Sequence, residues 1–215
     1  MRMKAYRVYF GGSFYPPHLG HDEMLLALLA KPEVKAVHLV PTYQNPLKES
    51  SQILLRGAPV DKNKFIYQVM EAWMSSLKSR NVQGLEKIQI EWLELEQSKA
   101  TYTFDTLSKL SEQYPDEPWA LCVGDDCLDG LEKWKHIDAL LEKIEEFWVF
   151  PRGKVEMSLI ERVSPGLRSL CVWRVMTEKV MEVSSTEIRD FFEGADASRE
   201  LLGKMLPEVA TCFRR

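Results

Sequence analysis

The chain has 215 residues, 45% of them apolar and 10% aromatic, with a net charge of −4. That apolar content can fill a core and excludes a disordered chain, and the length fits one domain over residues 1–215. The acidic balance argues against a broad nucleic-acid surface while leaving room for a local basic pocket, and no run of about 18 apolar residues offers a membrane span.

From the N-terminus, residues 6–10 (YRVYF) are a short β-rich run and residues 19–29 read as a helix. Residues 34–41 (VKAVHLVP) are almost continuously apolar, as in strands buried on both faces. The polar stretch 42–52 reads as a loop, and 64–77 is a helix with Phe65, Val69, Ala72, Trp73 and Leu77 on one side. Residues 88–96 (IQIEWLELE) alternate and predict a strand with one wet face. Residues 103–114 suit a helix, 119–124 (WALCVG) a buried strand and 130–144 a helical region; 146–152 and 169–175 are two further strands. From Ser184 onward the pattern is helical, with breaks expected at Gly194 and before Pro207. Alternation of this kind predicts an α/β fold, Rossmann-like and doubly wound, with a mostly parallel sheet flanked by helices and a C-terminal helical segment.

Four cysteines (Cys122, Cys127, Cys171 and Cys212) show no metal-ligand spacing, and no secretory signal is evident. Reduced thiols in a cytoplasmic protein are expected, with a zinc site as the minor alternative. Trp73, Trp92, Trp119, Trp148 and Trp173 read as packing residues, His38 as a satisfied structural histidine, and His136 as a surface position.

The stretch GGSFYPPHLGH, residues 11–21, asks for more than packing. Gly11 and Gly12 permit a sharp turn and close approach to a ligand, and Pro17 suits the first position of a helix. Free amides of the first helical turn favour an anion, with His18 and His21 one turn apart on the same side and Gly20 leaving room between them. The loop lacks the Walker A lysine and the dinucleotide glycine spacing. Far downstream, VSSTEIRD (183–190) again offers hydroxyls and amides at a helix start, with Arg189 one turn in. Taken alone, that second stretch is an ordinary reciprocal cap, because Glu187 follows Ser184 by three residues.

Together the two stretches resemble the H-x-G-H and I-S-S-T-x-I-R signatures of the nucleotidyltransferase superfamily. ATYTFDTLSKL (100–110), VGDDCLDGLEKW (123–134) and FPRGK (150–154) resemble, in order, segments of its bacterial nicotinate mononucleotide adenylyltransferases. The resemblance covers nearly the whole chain. It implies that ATP lies on Gly11, Gly12, Ser13, Phe14, Gly124, Asp126, Ser184, Ser185 and Thr186. His18, His21 and Arg189 are then the catalytic residues, and Lys48, Thr101, Tyr102, Thr103, Trp134 and Arg152 bind the mononucleotide. It further implies Mg²⁺ carried on the ATP phosphates, with no metal held by the protein itself. The implied reaction transfers AMP from ATP to nicotinate mononucleotide, giving deamido-NAD and pyrophosphate. Three positions depart from the usual pattern: Leu47 stands where a histidine is common, Asp125 replaces a small residue, and Tyr15 replaces an aspartate. The alternatives are an enzyme using nicotinamide mononucleotide, or a nucleotide-binding module without turnover. Oligomeric state is left open.

Overall fold

The computed structural model describes residues 4–43, 54–55, 58–59, 61–97, 100–152, 157–178, 180–192 and 200–213. Strand β1 (Tyr6–Gly12) leads through helix α1 (Leu19–Ala30) into β2 (Val34–Pro41). A two-residue antiparallel pair, β3 (Leu54–Leu55) and β4 (Ala58–Pro59), precedes helix α2 (Lys62–Ser79). Then come β5 (Ile88–Ile90), the single turn α3 (Leu93–Glu96), α4 (Thr103–Gln113), β6 (Trp119–Gly124) and α5 (Ile137–Glu142). The chain continues through β7 (Glu146–Phe150), α6 (Pro165–Arg168), β8 (Val172–Val175), α7 (Ser185–Phe192) and α8 (Pro207–Cys212).

Six strands form one sheet in the order β5-β2-β1-β6-β7-β8, and every pairing in it is parallel. The chain builds outward from β1 through β2 to β5, then returns to pair β6 on the other side of β1. That reversal opens a crevice at the carboxyl ends of β1 and β6, the place where such sheets bind ligands. Each crossover helix must start at that same edge, so the first turns of α1, α2 and α4 all face it.

The pleat of β1 sorts side chains between two cores. Val8 and Phe10 join Leu25 and Leu28 of α1, Phe65, Val69 and Trp73 of α2, and Val209 of α8. Tyr9 faces the opposite way, with Val40, Leu121, Phe147, Leu107 of α4 and Leu140 of α5. Asp61 caps α2 by accepting a hydrogen bond from the Lys64 amide at 3.1 Å, and the buried positions 65, 66, 69, 70, 73 and 77 form one stripe.

Most expected elements are present, with three corrections. The strand expected over 88–96 ends at Ile90. The Glu91 amide still bonds Leu39 O at 2.8 Å, after which α3 buries both Leu95 and Glu94. Alternating Leu and Glu suits a strand, but at the sheet edge a helical turn brings Leu95 into the core. The helical region expected over 130–144 is two pieces: a 3₁₀ stretch, Asp125–Lys133, and α5. His136 separates them in the left-handed region, with φ 54°. Finally, Pro17 precedes the cap of α1 instead of opening the helix, because His18 is the extended cap residue. The break expected at Gly194 lies outside the described residues.

His38 is fully buried, its Nδ1 2.8 Å from Glu91 Oε1 and its Nε2 3.1 Å from Arg7 Nη1, as a satisfied structural histidine requires. Trp73, Trp119 and Trp148 are buried, and Trp92 and Trp173 pack partly buried against the two cores. None of the four cysteines is in a disulfide. Among the described residues no helix is long and apolar enough to cross a membrane, and no group of three or more His, Cys, Asp and Glu side chains could hold a metal ion.

Candidate active site

The site is built on the β1–α1 connection. Gly11 and Gly12 are the last residues of β1, and Gly12 O accepts the Thr42 amide at 2.9 Å, so the strand continues through both. The turn is made at Phe14, whose φ is 40°. A Cβ on Gly12 would lie 2.9 Å from the Phe14 ring. Glycine there admits the buried ring against Phe10, His21 and Trp73, with centroid separations of 5.3, 5.0 and 5.5 Å. Only the backbone of Phe14 remains to face a ligand, while Ser13 is exposed.

His18 and His21 cap α1 reciprocally. The His21 amide donates to His18 Nδ1 and the His18 amide donates to His21 Nδ1, each at 3.4 Å. Their rings stack at 3.7 Å between centroids. With Nδ1 accepting in both rings, each neutral imidazole keeps its proton on Nε2 and offers one donor. Burial, reinforced by the Arg152 charge, pushes the pKa of His18 down to about 3. His21 lies well below the ordinary histidine value through burial, then His18, then Arg152. Near neutral pH the two rings are therefore uncharged donors. Gly20 serves differently from the expectation: a Cβ there would lie 2.8 Å from Met181 O, so the space beside it is filled by the chain's own backbone.

Helix α7 closes over this loop. Ser185 Oγ donates to Pro16 O at 2.9 Å, and Arg189 donates through Nη1 to Tyr15 O and through Nη2 to Thr186 Oγ1. Ser184 and Glu187 form the reciprocal cap, with bonds of 2.7 and 3.2 Å. The capping role and a place beside the histidine loop thus coexist in one segment. At the ends of β6 and β7, Arg152 pairs with Asp126 Oδ1 at 3.1 Å and donates to Val183 O at 3.3 Å. A Cβ on Gly124 would lie 2.6 Å from that carboxylate, so glycine lets the pair rest against the strand end. Arg152, grouped by sequence with the mononucleotide segment, thus stands among the residues around His18.

Thr101, Tyr102 and Thr103 lead into α4, where the Asp105 and Thr106 amides bond Tyr102 O. Thr101 and Tyr102 line a groove with Phe104, Asp105 and Lys135, whose Nζ lies 4.6 Å from the Tyr102 ring centre and 3.1 Å from Asp105. Trp134 is half-buried on the same core as Phe104. Lys48 and Leu47 lie outside the described residues. Asp125 is half-buried.

Three residues escaped the sequence reading. Glu94 is buried beneath the groove, accepting from Thr106 Oγ1 at 2.8 Å and Tyr9 OH at 3.4 Å, and burial raises its pKa. Asp22 anchors the back of α1, accepting from Trp73 Nε1 at 2.7 Å and both Arg80 nitrogens at 2.8 Å. Lys62 opens α2 at the site edge. An acid next to His21 inside an apolar helix was the one signal available for Asp22; the other two had none.

The chain matches the cytidylyltransferase-like family over residues 9–191, and it belongs to that family. A probable nicotinate-nucleotide adenylyltransferase of Leptospira interrogans is 32% identical over 184 residues, 85% of this chain and 83% of that one. A protein of the same description from Clostridium novyi is 28% identical over 95% of this chain and 93% of its own. The nicotinic acid mononucleotide adenylyltransferase of Plasmodium falciparum, solved with NaAD, shares the fold. Its TM-score is 0.74 over 98% of this chain and 95% of that one, at 17% identity.

Proposed function

We propose that the protein is a nicotinate-nucleotide adenylyltransferase that moves AMP from ATP to nicotinate mononucleotide, releasing pyrophosphate, with residues 1–215 acting as one catalytic domain. The observation that carries this is the stacked His18–His21 pair, with neutral Nε2–H donors near Arg152 and on a loop held by Arg189, at the sheet's reversal point.

The 5′-phosphate of the mononucleotide attacks the α-phosphorus of ATP in line, the new P–O bond forming as the bond to pyrophosphate breaks. A phosphate monoester is a nucleophile at neutral pH, so neither a general base nor a covalent intermediate is needed. The chain's task is to hold two anions together and receive charge on the leaving oxygens. ATP enters as its Mg²⁺ complex, the ion belonging to the substrate. His18 and His21 donate to the α-phosphate region, backbone groups of residues 11–14 and Gly124 flank the nucleotide, and Ser184–Thr186 with Arg189 receive the β- and γ-phosphates. The Thr101–Thr103 amides meet the nicotinate carboxylate and Trp134 stacks on the pyridine ring. A site whose donors are matched to that carboxylate discriminates against the amide, which leaves them weakly paired.

The test is the initial rate of pyrophosphate release with MgATP and either nicotinate mononucleotide or its amide. A strong preference for the acid is expected. Preference for the amide overturns the substrate, and release with neither overturns the activity.

A further inference from the structure

We infer that Lys62 is a second cation for the β,γ-phosphates of ATP, and so for the pyrophosphate that leaves, acting beside Arg189. The inference rests on the adenylyl-transfer reading above.

Lys62 is the first residue of α2, the helix that crosses from the carboxyl end of β2 to the amino end of β5, so it stands at the crevice edge. Two contacts fix it further. Its Nζ lies 4.9 Å from the ring centre of Tyr43, one residue beyond Thr42, whose amide bonds Gly12 O in the β1–α1 connection. On the same helix face, one turn along, the buried Phe65 ring meets Tyr15 edge-on at 5.3 Å. Tyr15 in turn lies beneath the Arg189 guanidinium, 5.2 Å from its ring centre, and its carbonyl accepts from Arg189. The first turn of α2, which carries Lys62, and Arg189 thus both pack on Tyr15.

No described carboxylate lies within 4 Å of Lys62 Nζ, although Lys4, Lys31, Lys35 and Lys135 each pair with one. Half-buried, Lys62 has its pKa lowered first by burial and then by the Arg189 charge. Two like charges converging beside a phosphate loop are costly without an anion between them, and a polyphosphate relieves that repulsion. Arg189 contributes a fixed fork and Lys62 a flexible point charge, a division suited to a group that binds, accepts charge and departs.

The experiment uses the full chain with Lys62→Met and Lys62→Arg. Binding of Mg²⁺-pyrophosphate is measured by calorimetry, and steady-state constants are measured for ATP and nicotinate mononucleotide. Lys62→Met should weaken pyrophosphate about tenfold to a hundredfold and lower kcat/KM for ATP by a similar factor, the scale of one charge-assisted contact. KM for the mononucleotide and the melting temperature should stay unchanged, and Lys62→Arg should recover most of the loss. Wild-type pyrophosphate affinity in Lys62→Met, or a loss confined to the mononucleotide KM, overturns the assignment while the enzyme reading stands. A wild-type chain that neither binds pyrophosphate nor turns over overturns both.

Discussion

The histidine loop and the groove at Thr101, Tyr102 and Lys135 share one edge of the sheet but are held in different ways. The loop is fixed mainly through its backbone: Ser185 and Arg189 donate to the Pro16 and Tyr15 carbonyls, and the two histidines cap each other. Behind it, Asp22 ties α1 to Trp73 and Arg80 of the α2 region. The groove is lined by side chains of α4 and of the residues after β6, with Tyr102 37% exposed under a lysine. The lesson is a division of labour. On the proposed function, positioning phosphates for in-line attack tolerates little error and would fall to the braced backbone, whereas the planar ring would be received by the more adaptable surface.

The sharpest way to break this contrast is His21→Ala. Loss of one preorganised donor should lower turnover about a hundredfold or more, measured as pyrophosphate release, with little change in mononucleotide KM. Near-wild-type turnover would remove His21 from the reaction. The next effect tests the bracing: Asp22→Ala leaves the fully buried Trp73 N–H unpaired and frees Arg80. Denaturant unfolding should show a loss of about 2–4 kcal/mol, combining a buried unsatisfied donor with a partly exposed ion pair. On the groove side, Trp134→Ala should raise mononucleotide KM about tenfold, the scale of one lost stacking contact, while ATP KM holds. An effect on ATP alone would dissolve the distinction between the halves.

The smallest effect is in pH. Because His18 and His21 have lowered pKa values in the fold, the unfolded chain binds more protons as pH falls below about 6.5. Their stabilisation is complete above that pH and is lost progressively below it, for His18 down to about pH 3, each group contributing a slope of up to about 1.4 kcal/mol per unit. His18→Asn keeps a capping acceptor and removes one titration, so its melting temperature should fall less steeply between pH 6 and 4. An unchanged slope would mean that His18 is not held neutral.

Much of the fold was legible because buried parallel strands write themselves as apolar runs: Val34–Pro41 and Trp119–Gly124 have the bounds expected of them. Ile88–Ile90 was overextended because LELE alternates like a strand while its last leucine is claimed by the core from a helical turn. The histidine loop and the start of α7 also stood out locally, as glycines, histidines and a Ser-Ser-Thr-x-x-Arg run, and the fold brings the two together. The surroundings of Glu94 and Lys62 were not legible, because each meets residues distant in sequence, Tyr9 and Thr106 for one, Tyr43 for the other.

By itself, then, the sequence determined the strand–helix alternation and the two stretches proposed to bind anions, because hydrophobic period and helix-start chemistry are local properties. Tertiary structure alone decided that Gly12 serves the Phe14 ring, that Gly20 admits the Met181 carbonyl, and that Arg152 stands with His18. Those outcomes depend on which atoms fill the remaining space, and close packing settles that only when the whole chain is in place.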